Sequence, residues 1–187
     1  MLCFKCGSYK VSENTEDGPK LYQYWCSECH EGFNEGDYEM GVEETISLYT
    51  DGACQNNPGL AGAGVLMRYR THEKRISKFL GHATNNIAEL TAVKVGLEAV
   101  TDKTKSILVY TDSQYTIGVL SNPTWKPKKN KELIKEIKDL IALFPRVQFT
   151  WVKGHSDHPE NNIVDELAVR AYNTKKDFEA RSTIDLN

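Results

Sequence analysis

The sequence predicts an α/β domain built on a mixed five-stranded sheet flanked by helices, preceded by a small zinc-ribbon-like module. Three observations carry that expectation. From residue 45 onward, strand-like and helix-like patterns follow one another in the order βββαβααβα, which suits a mixed sheet with helices on its faces. Four of the five cysteines stand in the first thirty residues as two Cys-x-x-Cys pairs. The composition also changes near residues 41–44: the first forty residues are poor in aliphatics and rich in turn formers such as Gly7, Asn14, Gly18-Pro19, Gly32 and Gly36. The resulting division is a module over 1–40, a main domain over 45–173 and a polar tail over 174–187.

The module is too short to bury a core that would fold it unaided, so something must staple it. Cys3-x2-Cys6 and Cys26-x2-Cys29 are separated by nineteen residues, a spacing that matches one four-thiolate zinc site. Gly7 suits the tight turn of such a knuckle. A disulfide pair is disfavoured in a reducing compartment, and a redox Cys-x-x-Cys needs only one pair. His30 in place of Cys29 is an alternative ligand set. The module holds three lysines against eight acids, and four thiolates on zinc would make it more negative still. Such a surface repels phosphate, which points to a structural or protein-contacting role. Tyr22, Tyr24, Trp25 and Phe33 suit either base stacking or a mini-core beside the metal.

In the main domain, Thr45-Ile-Ser-Leu-Tyr-Thr50 alternates as a strand ending at Asp51-Gly52. Gly64 to Tyr69 and Arg75 to Leu80 read as two further strands. Leu90, Val93, Leu97 and Val100 recur at helical spacing over residues 87–100. Ile107 to Thr111 is a short apolar run of buried-strand type, followed by a helix from Ser113 to Leu120. Leu133, Ile134, Ile137, Leu140 and Ile141 form one face of a helix from Lys131 to Phe144, which Pro145 stops. Val147 to Val152 is the fifth strand and Ile163 to Tyr172 the last helix.

With 40% hydrophobic and 26% charged residues, the 187-residue chain has the composition of a soluble globular protein. No apolar run approaches the ~18 residues of a membrane span, and no secretory signal follows Met1. A cytoplasmic monomer is expected. Lys126, Lys128, Lys129, Lys131, Lys135 and Lys138 crowd into thirteen positions; they suit phosphate-backbone binding or simply a solvated helix face.

Four acids draw notice, and each has a structural explanation. Asp51 before Gly52 fits a turn. Glu89 three residues after Asn86, and Asp165 three after Asn162, fit capping boxes. Asp112 fits an N-cap. Together they read differently, because all four stand at strand ends or in first helical turns and can converge at one end of the sheet. Converging carboxylates need a cation to offset their repulsion, and hard divalent ions take oxygen ligands. Two such ions about 4 Å apart can flank a phosphodiester.

Four local blocks make this more specific: Tyr49-Thr-Asp-Gly-Ala-Cys-Gln-Asn-Asn-Pro-Gly59, Thr84-Asn-Asn-Ile-Ala-Glu-Leu90, Tyr110-Thr-Asp-Ser-Gln-Tyr115, and Trp151-Val-Lys-Gly-His-Ser-Asp-His-Pro-Glu-Asn161 through Asp165-Glu-Leu-Ala168. In order and spacing, residues 45–173 resemble ribonuclease H of type 1. The resemblance implies an endonuclease that hydrolyses the RNA strand of RNA–DNA hybrids with two Mg2+ ions (Mn2+ being a possible substitute), leaving 5′-phosphate and 3′-hydroxyl ends. Asp51, Glu89, Asp112 and Asp165 match the family's metal-binding acids. His155 matches a mobile histidine that assists proton transfer or product release, while His158 is expected to be structural. Asn57, Asn85, Asn86 and Gln114 match readers of the hybrid's minor groove, where amides engage 2′-hydroxyls. Cys54 falls beside the same groove and outside the zinc set. Thr84 and Asn130 match a pocket for a phosphate of the DNA strand. The chain departs from several family members where they carry a basic protrusion: here the interval shortens to Ser121–Asn130, and Trp125 with the neighbouring lysines is expected to keep part of that contact. The rivals are a non-catalytic binding module, which would have lost a metal ligand, and an adaptor whose acidic module contacts a protein partner.

Overall fold

In the computed structural model, which describes residues 11–13, 24–26, 31–33, 45–154 and 159–183, the N-terminal part contributes three short strands. β1 (Val11–Glu13), β2 (Tyr24–Cys26) and β3 (Glu31–Phe33) form an antiparallel sheet in that order, with Val11 opposite Cys26 and Tyr24 opposite Phe33. Cys26 therefore lies at the end of β2; Cys3, Cys6 and Cys29 lie outside the described residues.

The alternation at Thr45 becomes a ten-residue strand, β4 (Thr45–Cys54), which carries Asp51 and Gly52 inside the strand rather than in a turn. β5 (Gly59–Tyr69) and β6 (His72–Ala83) also outrun the apolar pattern, and the three form an antiparallel meander. Apart from Leu60, the extra length at Gly59–Ala63 is glycine and alanine, residues that give no strand signal of their own. Leu80 is an additional residue opposite the Ala61–Gly62 step, where the register shifts. Beside it Gly81 takes φ 71°, a conformation that only glycine adopts at little cost.

Helix α1 (Asn85–Ala99) crosses back to β7 (Ser106–Thr111), which pairs parallel with β4, and α2 (Gln114–Ser121) and α3 (Lys131–Ile141) lead to β8 (Val147–Trp151), parallel to β7. The helix expected to reach Phe144 ends at Ile141. α4 (Pro159–Thr174) starts one turn earlier than its apolar pattern suggested. Ile46, Leu48, Val109, Leu90, Val93, Leu97, Val119, Ile134 and Ile137 make one buried cluster that joins α1, α2 and α3 to a single face of the sheet.

α4 lies on the other face, close enough that glycine is required beneath it. A Cβ on Gly62 would stand 2.2 Å from the Ala168 carbonyl oxygen, and one on Gly64 2.0 Å from that of Val164. The Ser77 hydroxyl donates to the Leu167 carbonyl at 2.7 Å, fixing the helix laterally.

The five-stranded expectation needs correction. Phe178–Thr183 of the expected polar tail forms β9, which pairs antiparallel with β6, so the sheet has six strands in the order β8-β7-β4-β5-β6-β9. β9 buries little, so no hydrophobic period marks it. Backbone pairing holds it, aided by Asp177, which accepts from the Lys78 ammonium and the Phe79 amide, and by the Arg170 guanidinium 3.8 Å from the Phe178 ring centre.

Candidate active site

The site follows from strand register. Tyr49 and Tyr110 are paired across the parallel β4–β7 ladder and their rings stack at 4.5 Å. Successive same-face positions along a strand are two residues apart, so the next pair on that face is Asp51 and Asp112. The β4–β7 ladder has ended there, at the carboxyl ends of the strands, a common location for ligand sites in sheets of this type.

One helix on each face adds an acid. α1 approaches β4 at Gly52, where a Cβ would come within 2.1 Å of the Glu89 backbone nitrogen. Only a glycine lets the helix deliver Glu89 that close to Asp51. Asp165 comes from α4 on the opposite face, and its charge acts on Asp51. Ligand oxygens of Asp51, Glu89 and Asp112 lie within 4.8 Å of one another.

The capping explanations do not survive. The N-cap of α1 is Thr84, whose hydroxyl accepts from the Ile87 amide at 3.4 Å, not Asn86. The N-cap of α2 is Ser113, accepting from the Thr116 amide at 3.2 Å, not Asp112. Asn162 is inside α4 and cannot cap it. None of the three helix-associated acids is left with a capping role.

Instead the acids crowd one another. Burial, then the charges of Asp112 and Asp165, push the Asp51 carboxyl up to about 7, even though the Gly52 amide donates to its Oδ1 at 2.7 Å. Burial and the charges of Asp51 and Asp112 push Glu89 well above the usual carboxylate range. Glu89 Oε2 is buried without a hydrogen-bond partner. An orphaned oxygen facing two further carboxylates fits a hard divalent cation such as Mg2+, and this donor set has no soft ligand that would favour zinc.

The expected substrate residues fall into small groups. Asn57 Oδ1 accepts the Asn85 amide at 3.0 Å, which fixes the side-chain orientation and presents Nδ2 as the donating end. Cys54 Sγ lies 3.1 Å from the Ala83 carbonyl, next to Thr84. Asn86 and Gln114 are exposed in the first turns of α1 and α2. Asn130 takes a left-handed conformation before α3, and its Nδ2 donates to the Tyr115 hydroxyl at 3.3 Å. Trp125 is 46% exposed, with its other face laid on Gly118 of α2. Of the clustered lysines, Lys135 pairs with Asp139 at 2.6 Å, and all six are exposed beside the buried Ile134 and Ile137. His155 and His158 lie outside the described residues. Sequence reasoning treated Gly52 as a turn residue and passed over Trp151 and Gly154, which both touch Asp112; their place inside the quoted blocks was the available signal.

The family model described as RNase H matches residues 43–173. A ribonuclease HI of Neisseria meningitidis serogroup A is 43% identical over 141 residues, covering 69% of this chain and 96% of that protein. A ribonuclease H of Desulforamulus reducens is 41% identical over 139 residues, covering 67% and 86%. Among solved structures, RNase H1 from the halophilic archaeon Halobacterium salinarum NRC-1 aligns with a TM-score of 0.60 at 26% identity, over 70% of this chain and 98% of that one. LC11-RNase H1 in complex with RNA/DNA hybrid aligns at 0.58, also with 26% identity and the same coverage.

Proposed function

The chain belongs to the ribonuclease H family and cuts the RNA strand of RNA–DNA hybrids endonucleolytically; from that premise we propose that it does so by two-metal-ion hydrolysis at Asp51, Glu89, Asp112 and Asp165. The observation that carries this reading is the convergence of Asp51, Glu89 and Asp112 within 4.8 Å, with Glu89 Oε2 buried and unpartnered. Bound Mg2+ would supply Lewis acidity, raising the acidity of a coordinated water and stabilising charge on the phosphate. The chain's own residues do the rest. The four carboxylates would hold the ions, and hydrolysis directed in this way would leave 5′-phosphate and 3′-hydroxyl ends. His155, which matches the family's mobile histidine, would assist proton transfer or product release.

Recognition falls to residues beside the four acids. Asn57 Nδ2, Asn85, Asn86 and Gln114 engage 2′-hydroxyls and base edges of the minor groove beside Cys54, independently of base sequence. Thr84 and Asn130 take a phosphate of the DNA strand, and Trp125 with its lysines meets the backbone. In front of the domain, Cys3, Cys6, Cys26 and Cys29 hold one structural Zn2+, and the acidic module serves a protein partner or stability. No helix among the described residues is long and apolar enough to cross a membrane.

The test is cleavage of a labelled RNA–DNA hybrid beside double-stranded RNA and DNA. Asp51→Asn and Asp112→Asn should each lower turnover by about 10³-fold or more while hybrid binding persists. Undiminished turnover in either variant would sink the assignment. For the module, metal analysis of the whole chain should find one zinc per chain, lost in Cys6→Ser.

A further inference from the structure

Asp112 is held differently from the other acids. Asp51 is anchored within β4 and Glu89 within α1, whereas Asp112 is the first residue past the end of β7, where pairing with β4 has already stopped. Something beyond the β4–β7 ladder must place it. The carboxyl end of β8 does so twice. The Trp151 indole Nε1 donates to the Asp112 carbonyl at 3.1 Å, and this strand end is tied in by the Val152 amide, which donates to the Thr111 carbonyl at 3.0 Å. Three residues on, Gly154 passes so close to the carboxylate that a Cβ there would stand 2.3 Å from Asp112 Oδ2. One contact fixes the backbone of Asp112; the other leaves its side chain a channel only a glycine can provide.

We propose that Trp151 and Gly154 are positioning residues that jointly set the Asp112 carboxylate for divalent-cation binding, a role that rests on the two-metal reading of the site. A metal ion tolerates small errors in donor placement poorly, and the groups that orient its ligands matter nearly as much as the ligands themselves. Trp151 spends an indole N–H on this contact while remaining 49% exposed, an arrangement that core packing alone does not call for. At Gly154 the fold and the site make different demands. An added methyl meets the far end of the Asp112 side chain rather than backbone, so a rotation of that side chain accommodates it, but the rotated carboxylate no longer faces Asp51 and Glu89.

The experiment is calorimetric titration of the full-length, metal-free protein with MgCl2, alongside thermal melts. Gly154→Ala should weaken Mg2+ binding by about ten-fold with its melting temperature in the absence of metal nearly unchanged. Trp151→Phe, which keeps an aromatic ring but loses the indole N–H, should weaken Mg2+ by about five-fold. Both should lower kcat at limiting Mg2+, recover it at high Mg2+ and leave KM for hybrid unchanged. Wild-type Mg2+ affinity in both variants, with any loss appearing only as a lower melting temperature, would overturn the proposal. Asp112→Asn, measured in parallel, separates the two levels: if it too keeps its Mg2+ affinity, the two-metal reading itself has failed.

Discussion

Two buried glutamates in this protein stand in opposite electrostatic states, and the contrast separates the chemistry-bearing half of the sheet from the half that supports it. Glu89 is 6% exposed and Glu73 is 5% exposed. In the parallel half, Glu89 faces Asp51 and Asp112, and burial together with their charges drives its carboxyl well above the usual range. In the antiparallel half, burial would raise Glu73 too, but the hydrogen bonds of Arg75 at 2.6 Å and Arg68 at 2.9 Å outweigh it and hold its carboxyl below the usual range. Arg68 also reaches Glu160 at the start of α4, so this cluster ties β5 and β6 to the helix that carries Asp165. Burial therefore does not decide what a carboxylate does. The far half gives its acid guanidinium partners, whereas in the near half burial and neighbouring carboxylates dominate the surroundings of Asp51 and Glu89, a setting that suits a divalent cation.

The sharpest way to break the near half is Gly52→Ala. Its methyl would meet helix backbone at Glu89 rather than a flexible side chain, so α1 must retreat. A loss of about 3 kcal/mol in unfolding free energy and near-complete loss of hybrid cleavage are expected from denaturant melts and the cleavage assay. Glu73→Gln attacks the far half. It should cost about 2 kcal/mol, because Arg68 and Arg75 lose their shared partner, yet cleavage at 25 °C should stay within about two-fold. A large loss of activity there would mean that the two halves are not separable.

The smallest effect has the opposite sign. Glu89→Gln removes a carboxylate that the fold without metal would rather keep protonated, so it should abolish cleavage yet raise the melting temperature of the metal-free protein at pH 8 by roughly 2–4 °C. The pH dependence follows from the same groups. Asp51, raised to about 7, and Glu89 above its usual range keep their protons in the folded state where the unfolded chain has lost them. Their contribution to stability is present below the ordinary carboxylate pKa of about 4 and is lost as pH rises through the folded values. Glu73 runs the other way: its contribution is present above its ordinary pKa and lost on acidification. Metal-free wild type should therefore melt at a lower temperature at pH 8 than at pH 5.5, with a shallower slope in Glu89→Gln. Saturating Mg2+ should restore the loss at pH 8. A slope unchanged by that substitution would show that the crowded carboxylates do not govern it.

Much of this was legible in the chain itself. Alternation at Thr45–Thr50, the apolar run Ile107–Thr111 and the helical spacing of Leu90, Val93 and Leu97 gave the elements, since burial of one face imposes a local period. The four blocks around Asp51, Glu89, Asp112 and Asp165 gave the acids. What misled were local explanations equally consistent with the same letters: Asn86, Asn162 and Asp112 all look like caps, and the caps actually used are Thr84 and Ser113. β9 was invisible because its residues gain pairing with β6 rather than burial, and pairing leaves no period in the sequence.

The sequence by itself determined which residue types stand ready for metal chemistry, and on which kinds of element, because periodicity and motif are properties of neighbours along the chain. The tertiary structure alone decided that Asp51 and Asp112 share a face one step beyond the Tyr49–Tyr110 stack, that Glu89 reaches them over Gly52, and that Glu73 does not join them. Those outcomes depend on strand register and on how closely a helix can approach a sheet. Both are set by contacts between segments tens of residues apart, where a single missing methyl group determines what fits.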